Sequence, residues 1–87
     1  MAHLQFLTPG GPVVLRCKTD EELVDLVVRI RSDFARDGEA DFGWQLEEGQ
    51  ITYFFMPATT PLMFEFDGEA PSDLSERINE AIARSSD

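Results

Sequence analysis

The stretch ITYFFMPATTPLMFEF, Ile51 to Phe66, decides how this chain folds. It holds five aromatic residues and two methionines, but a single charged side chain, Glu65. The segments QITYFFM (50–56) and LMFEF (62–66) have the length and the β-branched and aromatic content of strands, and MPATTP between them is typical of a loop. We therefore expect two consecutive strands that supply much of the core.

A further strand is predicted directly before them, at FGWQLE (42–47). Glu48-Gly49 has the composition of a two-residue hairpin turn, in which glycine supplies a positive φ. A tight turn here would place Phe42 opposite Phe55 and keep the alternation of both strands in phase. The three segments together predict an antiparallel meander.

The predicted register divides the side chains of this meander between two faces. The core face carries the large residues Phe42, Trp44, Leu46, Ile51, Tyr53, Phe55, Leu62, Phe64 and Phe66. The outward face carries Phe54, Met56 and Met63 among polar residues. These three are either scattered apolar groups on a solvated sheet or the centre of an interface, where aromatic and Met side chains are enriched.

The remaining segments predict a hairpin and two helices. HLQFL (3–7) and VVLRCK (13–18) read as strands separated by a reversal at TPGGP. TDEELVDLVVRIRSDFARDG predicts a helix of about 17 residues, with Thr19 and Glu22 at capping-box spacing and Gly38 as its stop. Val24 and Val28 widen its apolar arc toward the last helix, which runs from Ser72 or Asp73 to Ser85.

These elements give the order ββαβββα within one acidic domain that spans residues 1–87. The predicted class is α+β, with a single, mostly antiparallel sheet and two helices packed on one face.

The charge balance narrows the range of partners. Seventeen acidic residues against seven basic ones give a net charge of −10. This disfavours direct binding to nucleic acid and to anionic membranes, both of which attract basic surfaces. It favours encounter with a basic protein surface. No segment has the pattern of a signal peptide or a membrane span, so we expect a cytoplasmic protein.

Few residues offer catalytic chemistry. His3 lies near the chain start and is expected to be a surface strand residue, while Cys17 lies in an apolar run and is expected to be a small buried hydrophobe. Glu65, Asp67 and Glu69 could hold a hard cation, but they lack EF-hand spacing and favour a solvated turn. We therefore predict no enzyme activity, no cofactor and no metal.

Surface acids suggest a binding role instead. In the predicted register Phe66 lies beside Ile51, which would gather Glu47, Glu48, Glu65, Asp67 and Glu69 at one end of the sheet. With Phe54, Met56 and Met63 they form the predicted partner-binding surface. The leading hypothesis is a non-enzymatic regulatory protein that docks on a basic partner, or self-associates as a homodimer through the outer sheet face. The alternative is a nucleic-acid mimic that inhibits a nucleic-acid-binding protein, as small phage anti-defence proteins do. A carboxylate-based, metal-dependent activity is a less favoured alternative.

Overall fold

The computed structural model describes residues 2–45 and 49–85. Its elements follow the order ββαβββα, so the predicted α+β class and element order are confirmed. They are β1 (His3–Thr8), β2 (Gly11–Arg16), α1 (Asp20–Asp37), β3 (Glu39–Gln45), β4 (Ile51–Pro57), β5 (Leu62–Glu65) and α2 (Leu74–Ser85).

The opening hairpin is confirmed. Thr8 pairs with Gly11, so Pro9-Gly10 forms a two-residue turn between β1 and β2. The Thr8 hydroxyl donates to the Gly11 carbonyl oxygen at 2.7 Å and accepts from the Gly10 N–H at 3.2 Å. Gly11 has a φ of 118°, a conformation that L side chains rarely adopt, so glycine is required at the point where β2 begins.

Helix α1 begins and ends where predicted. The Thr19 hydroxyl accepts a hydrogen bond from the Glu22 N–H at 3.1 Å, as an N-cap does. Gly38 is left-handed, with a φ of 77°, and its N–H donates to the Phe34 carbonyl oxygen at 3.0 Å, which ends the helix. The predicted apolar face of α1 is buried in the core through Leu23, Leu26, Val27 and Ile30.

Helix α2 begins at Leu74, slightly later than predicted. The Leu74 N–H donates to the Pro71 carbonyl oxygen at 3.2 Å, so a turn precedes the helix. The Asp73 carboxylate accepts from Arg77 Nε at 3.1 Å, an i,i+4 pair across the first turn. Helix α2 packs along α1, and Val24 is buried at this contact, as the widened apolar arc predicts.

The strands form two sheets, where the sequence predicted one. Strand β1 lies between β2 and β5, while β3 pairs with β4, and every pairing is antiparallel. The expected pairing of β4 with β5 is wrong, because β5 pairs with the second edge of β1 and places Phe64 opposite Leu4 and Leu62 opposite Phe6. This choice matches apolar residues on one face, so Leu62 and Phe64 still pack against the core.

The β3–β4 register differs from the prediction by one residue. Phe42 pairs with Phe54 instead of Phe55, and Gln45 pairs with Ile51. Pairing of Gln45 with Ile51 does not fit the predicted two-residue turn at Glu48-Gly49, which would place Gln45 opposite Thr52, although Gly49 has the predicted positive φ, 80°. A one-residue slip turns every side chain of a strand to its other face, so the inward and outward sets of β4 are exchanged.

The core therefore contains residues that were predicted outside. Met56 is only 2% exposed, and Phe54 packs against the core with its ring edge-to-face on Phe6, at 5.3 Å between centroids. Five members of the predicted core face are confirmed as core or core-packed: Phe42, Trp44, Leu62, Phe64 and Phe66. Ile51, Tyr53 and Phe55 are not among them, and Leu46 lies outside the described residues.

Candidate interaction surface

The outer face of the β3–β4 pair carries a row of exposed apolar side chains. Ile51 is 62% exposed, Tyr53 74% and Phe55 78%. We call these three residues the apolar row. The face that they share with the outward side chains of β3, named here the outer ribbon face, also contains Glu39, Asp41, Gly43, Gln45 and Pro57.

Gly43 shapes this face from the opposite strand. It pairs with Tyr53, and a Cβ placed on it would lie 3.0 Å from Tyr53 Cε1 and 3.1 Å from Ile51 Cγ2. The Tyr53 ring and the Ile51 side chain therefore lie directly over the glycine backbone, an arrangement that partly covers a strand glycine with an aromatic ring. The absence of a side chain at position 43 lets Tyr53 and Ile51 lie across the β3 backbone.

The charge on the outer ribbon face is negative. Asp41 pairs with Phe55 and Glu39 with Pro57, so both carboxylates lie at the Phe55 end of the apolar row. Both acids are exposed, and the described outward residues of β3 and β4 include no basic side chain. A surface that covers this end of the row has to place cations or hydrogen-bond donors next to two carboxylates.

The backbone of the apolar row faces the open edge of β4. The Ala58 N–H donates to the Gly38 carbonyl oxygen at 2.9 Å, and hydrogen-bonded pairs recur at every second residue of an antiparallel ladder. The bonded pairs are therefore Ala40 with Met56, Phe42 with Phe54 and Trp44 with Thr52. The residues of the apolar row fall between them and turn their N–H and C=O groups away from β3. Pro57, which has no N–H, falls in the same outward-turned set, as expected for proline in a strand.

The predicted apolar site residues are separated by the observed topology. Phe54 and Met56 pack in the core, so the prediction that they lie on an outward face is wrong. Met63 is 49% exposed, as predicted, but it belongs to the other sheet, where it pairs with Gln5. Sequence reasoning missed the apolar row because it assigned those three residues to the core.

The predicted acidic cluster loses its structural basis. The prediction placed Phe66 beside Ile51 and so brought the acidic residues to one end of the sheet, but β5 pairs with β1 and not with β4. Glu65 is exposed on β5 opposite His3, while Glu47 and Glu48 lie outside the described residues. Residues Asp67 and Glu69 are exposed in the segment that follows β5.

Asp20, at the start of α1, instead holds that segment. Its carboxylate accepts from the Asp67 N–H at 2.8 Å and from the Gly68 N–H at 3.0 Å. The acids after β5 are therefore tied to the start of α1. No feature of the sequence signals this contact, because Asp20 and Gly68 are far apart along the chain and first-turn acids are common in helices.

A groove of about 320 Å³ runs between the two helices. Three of the arginines line it, Arg29, Arg77 and Arg84, together with Asp25 and Glu80. Arg77 forms ion pairs at its edge with Asp73 and Glu21, and the hydrogen bond to Asp73 raises the pKa of the guanidinium above its usual value. The mixed charges and the exposed rim make this groove a weaker docking candidate than the outer ribbon face.

Cys17 and His3 lie in adjacent pairs of the β1–β2 hairpin, since the Cys17 N–H donates to the Ala2 carbonyl oxygen at 2.9 Å and His3 pairs with Arg16, so their side chains point to opposite faces of the sheet. Cys17 is 1% exposed, as predicted, and burial, with a smaller contribution from Glu22, raises the pKa of its thiol to about 11. The thiolate is the reactive form of cysteine, so this thiol is a poor nucleophile near neutral pH. His3 lies on β1 between Arg16 and Glu65 of the neighbouring strands.

Across residues 2–45 and 49–85, no group of three or more His, Cys, Asp and Glu side chains is arranged to hold a metal ion. In the same part of the chain, neither helix is long and apolar enough to cross a membrane.

Comparison with known proteins gives no relative for this chain: no protein-family model, no curated protein and no solved structure matches it.

Proposed function

We infer that this chain is a non-enzymatic protein-binding protein that docks on a basic partner through its outer ribbon face. The observation that carries the proposal is the apolar row, three large side chains between 62% and 78% exposed on one face of a two-stranded ribbon. Monomeric proteins expose single apolar residues freely, but they rarely keep a contiguous aromatic patch without a binding role.

The composition of the row suits an interface. Aromatic residues are enriched at interface centres, and Tyr is among the residues whose truncation most weakens complexes. Full burial of a side chain of this size stabilises a complex by roughly 1.5–3 kcal/mol before the costs of association. Three adjacent residues therefore offer enough gross stabilisation for a specific contact.

The charges suit a basic partner. Glu39 and Asp41 lie beside one end of the row, and the whole chain carries a charge of −10. Attraction between oppositely charged surfaces speeds encounter and selects the partner, and salt weakens it. Apolar contacts in the row and carboxylates at its end would together favour a partner whose exposed apolar residues are flanked by Lys or Arg.

The experiment starts with capture from the source organism's lysate at about 50 mM and about 500 mM salt, which change the screening length several-fold. Bait proteins are the natural chain, Tyr53→Ser/Phe55→Ser, and the matched control Leu7→Ser/Val14→Ser. The control removes apolar side chains that are also exposed, 53% and 40%, but on the other sheet.

We expect the natural chain and the control to capture a basic protein that Tyr53→Ser/Phe55→Ser, called the row variant, does not capture. Purified, that protein should bind the row variant at least ~30-fold more weakly, as expected for hot-spot aromatics, and the control within about threefold. Glu39→Gln/Asp41→Asn should weaken binding at low salt and flatten its salt dependence. Equal loss in the row variant and the control would contradict the assignment of this face.

Nucleic-acid mimicry is the alternative proposal, supported by the charge of −10 alone. It requires that the captured protein bind DNA or RNA and that nucleic acid compete for it. It also requires that carboxylate replacements weaken binding more than Tyr53→Ser/Phe55→Ser does. The reverse ranking favours docking through the apolar row.

A further inference from the structure

The open edge of β4 forms a second binding element, distinct from the side chains of the apolar row. We propose that a second copy of this chain pairs with this edge, antiparallel and centred on Tyr53, so that two β3–β4 ribbons join into one four-stranded sheet. The proposal goes beyond the proposed function, because it concerns the backbone edge and a copy of the chain rather than the outer ribbon face and a basic partner.

The outer edge of β4 carries backbone groups that can pair with another strand. The residues of the apolar row turn their N–H and C=O groups away from β3, and no described strand pairs with β4 on that side. The same residues are more than 60% exposed, so the edge is open to solvent over most of its length. A row of unpaired backbone donors and acceptors of this kind is a template for another strand.

The edge of β4 also lacks the usual protection against pairing. Natural edge strands are guarded by charges, by proline or by short length. Strand β3 carries Glu39 and Asp41, β2 carries Pro12 and Arg16, and β5 has only four residues. From Ile51 to Met56, β4 has no charge and no proline, and Pro57 stands only at its end. Among the described strands, β4 therefore has the edge most open to another strand.

Strand β4 is self-complementary when it pairs with a second copy in antiparallel orientation. A two-fold axis at Tyr53 places Tyr53 opposite its copy and Ile51 opposite Phe55 of the second copy, so all the outward-turned donors of the row find acceptors. An axis at Phe54 would place Ile51 opposite Pro57, which has no N–H to donate. The Tyr53 register is thus the one that uses the whole row, and its facing pairs are aromatic or apolar, which stabilise cross-strand contacts.

The joined sheet keeps the outer ribbon faces on one side, because directly paired residues of an antiparallel sheet point to the same face. Dimerisation would therefore place two apolar rows next to each other. The two processes respond to salt in opposite ways. Two copies of charge −10 repel, so salt should strengthen self-pairing, whereas salt should weaken docking on a basic partner.

Cysteine cross-linking tests the register. Paired Cα atoms in a hydrogen-bonded pair lie about 5.5 Å apart, within disulfide range. Tyr53→Cys should therefore cross-link to itself under mild oxidation. Phe55→Cys is the matched control, since residue 55 is as exposed as residue 53 but lies four residues, about 14 Å, from its own copy. Cys17 is buried and stays in place.

A mixture of Ile51→Cys and Phe55→Cys completes the test. We expect Tyr53→Cys alone and the mixture to form dimers at least ~10-fold faster than Phe55→Cys alone. Equal rates for Tyr53→Cys and Phe55→Cys, or no cross-linking in any sample, would overturn the proposed pairing.

Sedimentation equilibrium of the natural chain at about 500 mM salt measures the association itself. Tyr53→Ala removes the ring and keeps the N–H, whereas Tyr53→Pro removes both but breaks no bond to β3, since the N–H of residue 53 faces outward. We expect Tyr53→Pro to weaken the dimer at least ~10-fold more than Tyr53→Ala, with circular dichroism confirming that both variants fold. A dimer that both variants weaken equally, or a natural chain that stays monomeric at millimolar concentration, would overturn the proposal.

These outcomes separate the two proposals. A monomeric chain that still loses its basic partner on Tyr53→Ser/Phe55→Ser overturns the edge pairing alone. A dimer with the predicted cross-links whose variants retain the partner overturns the docking proposal alone.

Discussion

Two neighbouring phenylalanines of β4 should respond very differently to truncation. Phe54 packs against the core, with its ring 5.3 Å from that of Phe6 and 5.8 Å from that of Phe42. Phe55, the next residue, is 78% exposed. The sequence alone favours the opposite assignment, so the pair Phe54→Ala and Phe55→Ala tests the register of the ribbon directly.

The expected loss of unfolding free energy follows from the contacts of each side chain. Truncation of a core Phe to Ala costs roughly 3–5 kcal/mol, and an aromatic pair adds about 0.5–1.5 kcal/mol beyond area burial. Phe54 is only partly buried, so we expect Phe54→Ala to lower the free energy of unfolding by about 3 kcal/mol. Phe55→Ala should change it by at most ~0.5 kcal/mol, as surface substitutions do. For a domain of this size, 3 kcal/mol lowers the Tm by roughly 12–24 °C.

Urea unfolding measures both values. Trp44, the single tryptophan, lies edge-to-face on Phe42 at 6.5 Å and reports unfolding of the ribbon by its fluorescence. If Phe54→Ala does not fold, Phe54→Leu gives a smaller loss of the same sign. A larger loss for Phe55→Ala than for Phe54→Ala would refute the observed register, and with it the apolar row.

Three further changes test single contacts. Gly43→Ala should displace the Tyr53 ring from the β3 backbone, since the new Cβ would lie 3.0 Å from Tyr53 Cε1. NMR chemical shifts of the Tyr53 ring should change, while the Tm should change little. Asp20→Ala should lower the free energy of unfolding by about 1–2 kcal/mol, because the Asp20 carboxylate accepts two backbone N–H bonds from the segment after β5. Urea unfolding of Asp20→Ala and Asp20→Asn distinguishes loss of the hydrogen bonds from loss of the charge, since Asn keeps an acceptor oxygen. Burial raises the pKa of the Cys17 thiol from 9 to about 11, so the thiol's contribution to stability is complete below pH 9 and is lost as the pH rises toward 11. The difference in free energy of unfolding between the natural chain and Cys17→Ala should therefore decrease from pH 9 to pH 11. A constant difference would show that the thiol does not titrate in this range.

Local sequence signals predicted the parts of the fold whose determinants lie close together in the chain. Thr19 and Gly38 mark the ends of α1 through bonds to residues within four positions. The Pro9-Gly10 turn joins two strands that face each other directly. In these elements hydrogen bonding and apolar period agree, so one structure satisfies both.

The partner of β5 could not be read from neighbouring residues. Strand β4 comes directly before it in the chain, and a meander is the simplest arrangement of consecutive strands. The hairpin of β1 and β2, however, leaves one edge of β1 unpaired, and β5 satisfies it with Leu4 opposite Phe64. The decision depends on a pairing between distant segments, which no periodicity within β5 reveals.

The register of β4 was undecided for a different reason, since both faces of the strand are apolar. One face offers Thr52, Phe54 and Met56, and the other offers the apolar row. Alternation in β4 therefore fits either register, whereas β3 is unambiguous, with acids on one face and Phe42 and Trp44 on the other. The contacts of Phe54 with Phe6 of β1 and Phe42 of β3 distinguish the two registers, and they join residues that are distant in the sequence.

The selected register leaves one of the two apolar faces of β4 exposed. Burial of Ile51, Tyr53 and Phe55 would remove at least as much apolar surface from water as burial of Thr52, Phe54 and Met56, so hydrophobic gain within β4 does not favour the observed choice. The ribbon buries the other set, where Phe54 meets two core rings, and leaves the apolar row outside over Gly43. A strand with one polar face would have fixed the register from the sequence and left no apolar surface. The property that makes the fold of β4 hard to predict is therefore the same property that leaves the apolar row exposed, and our docking proposal relies on that row.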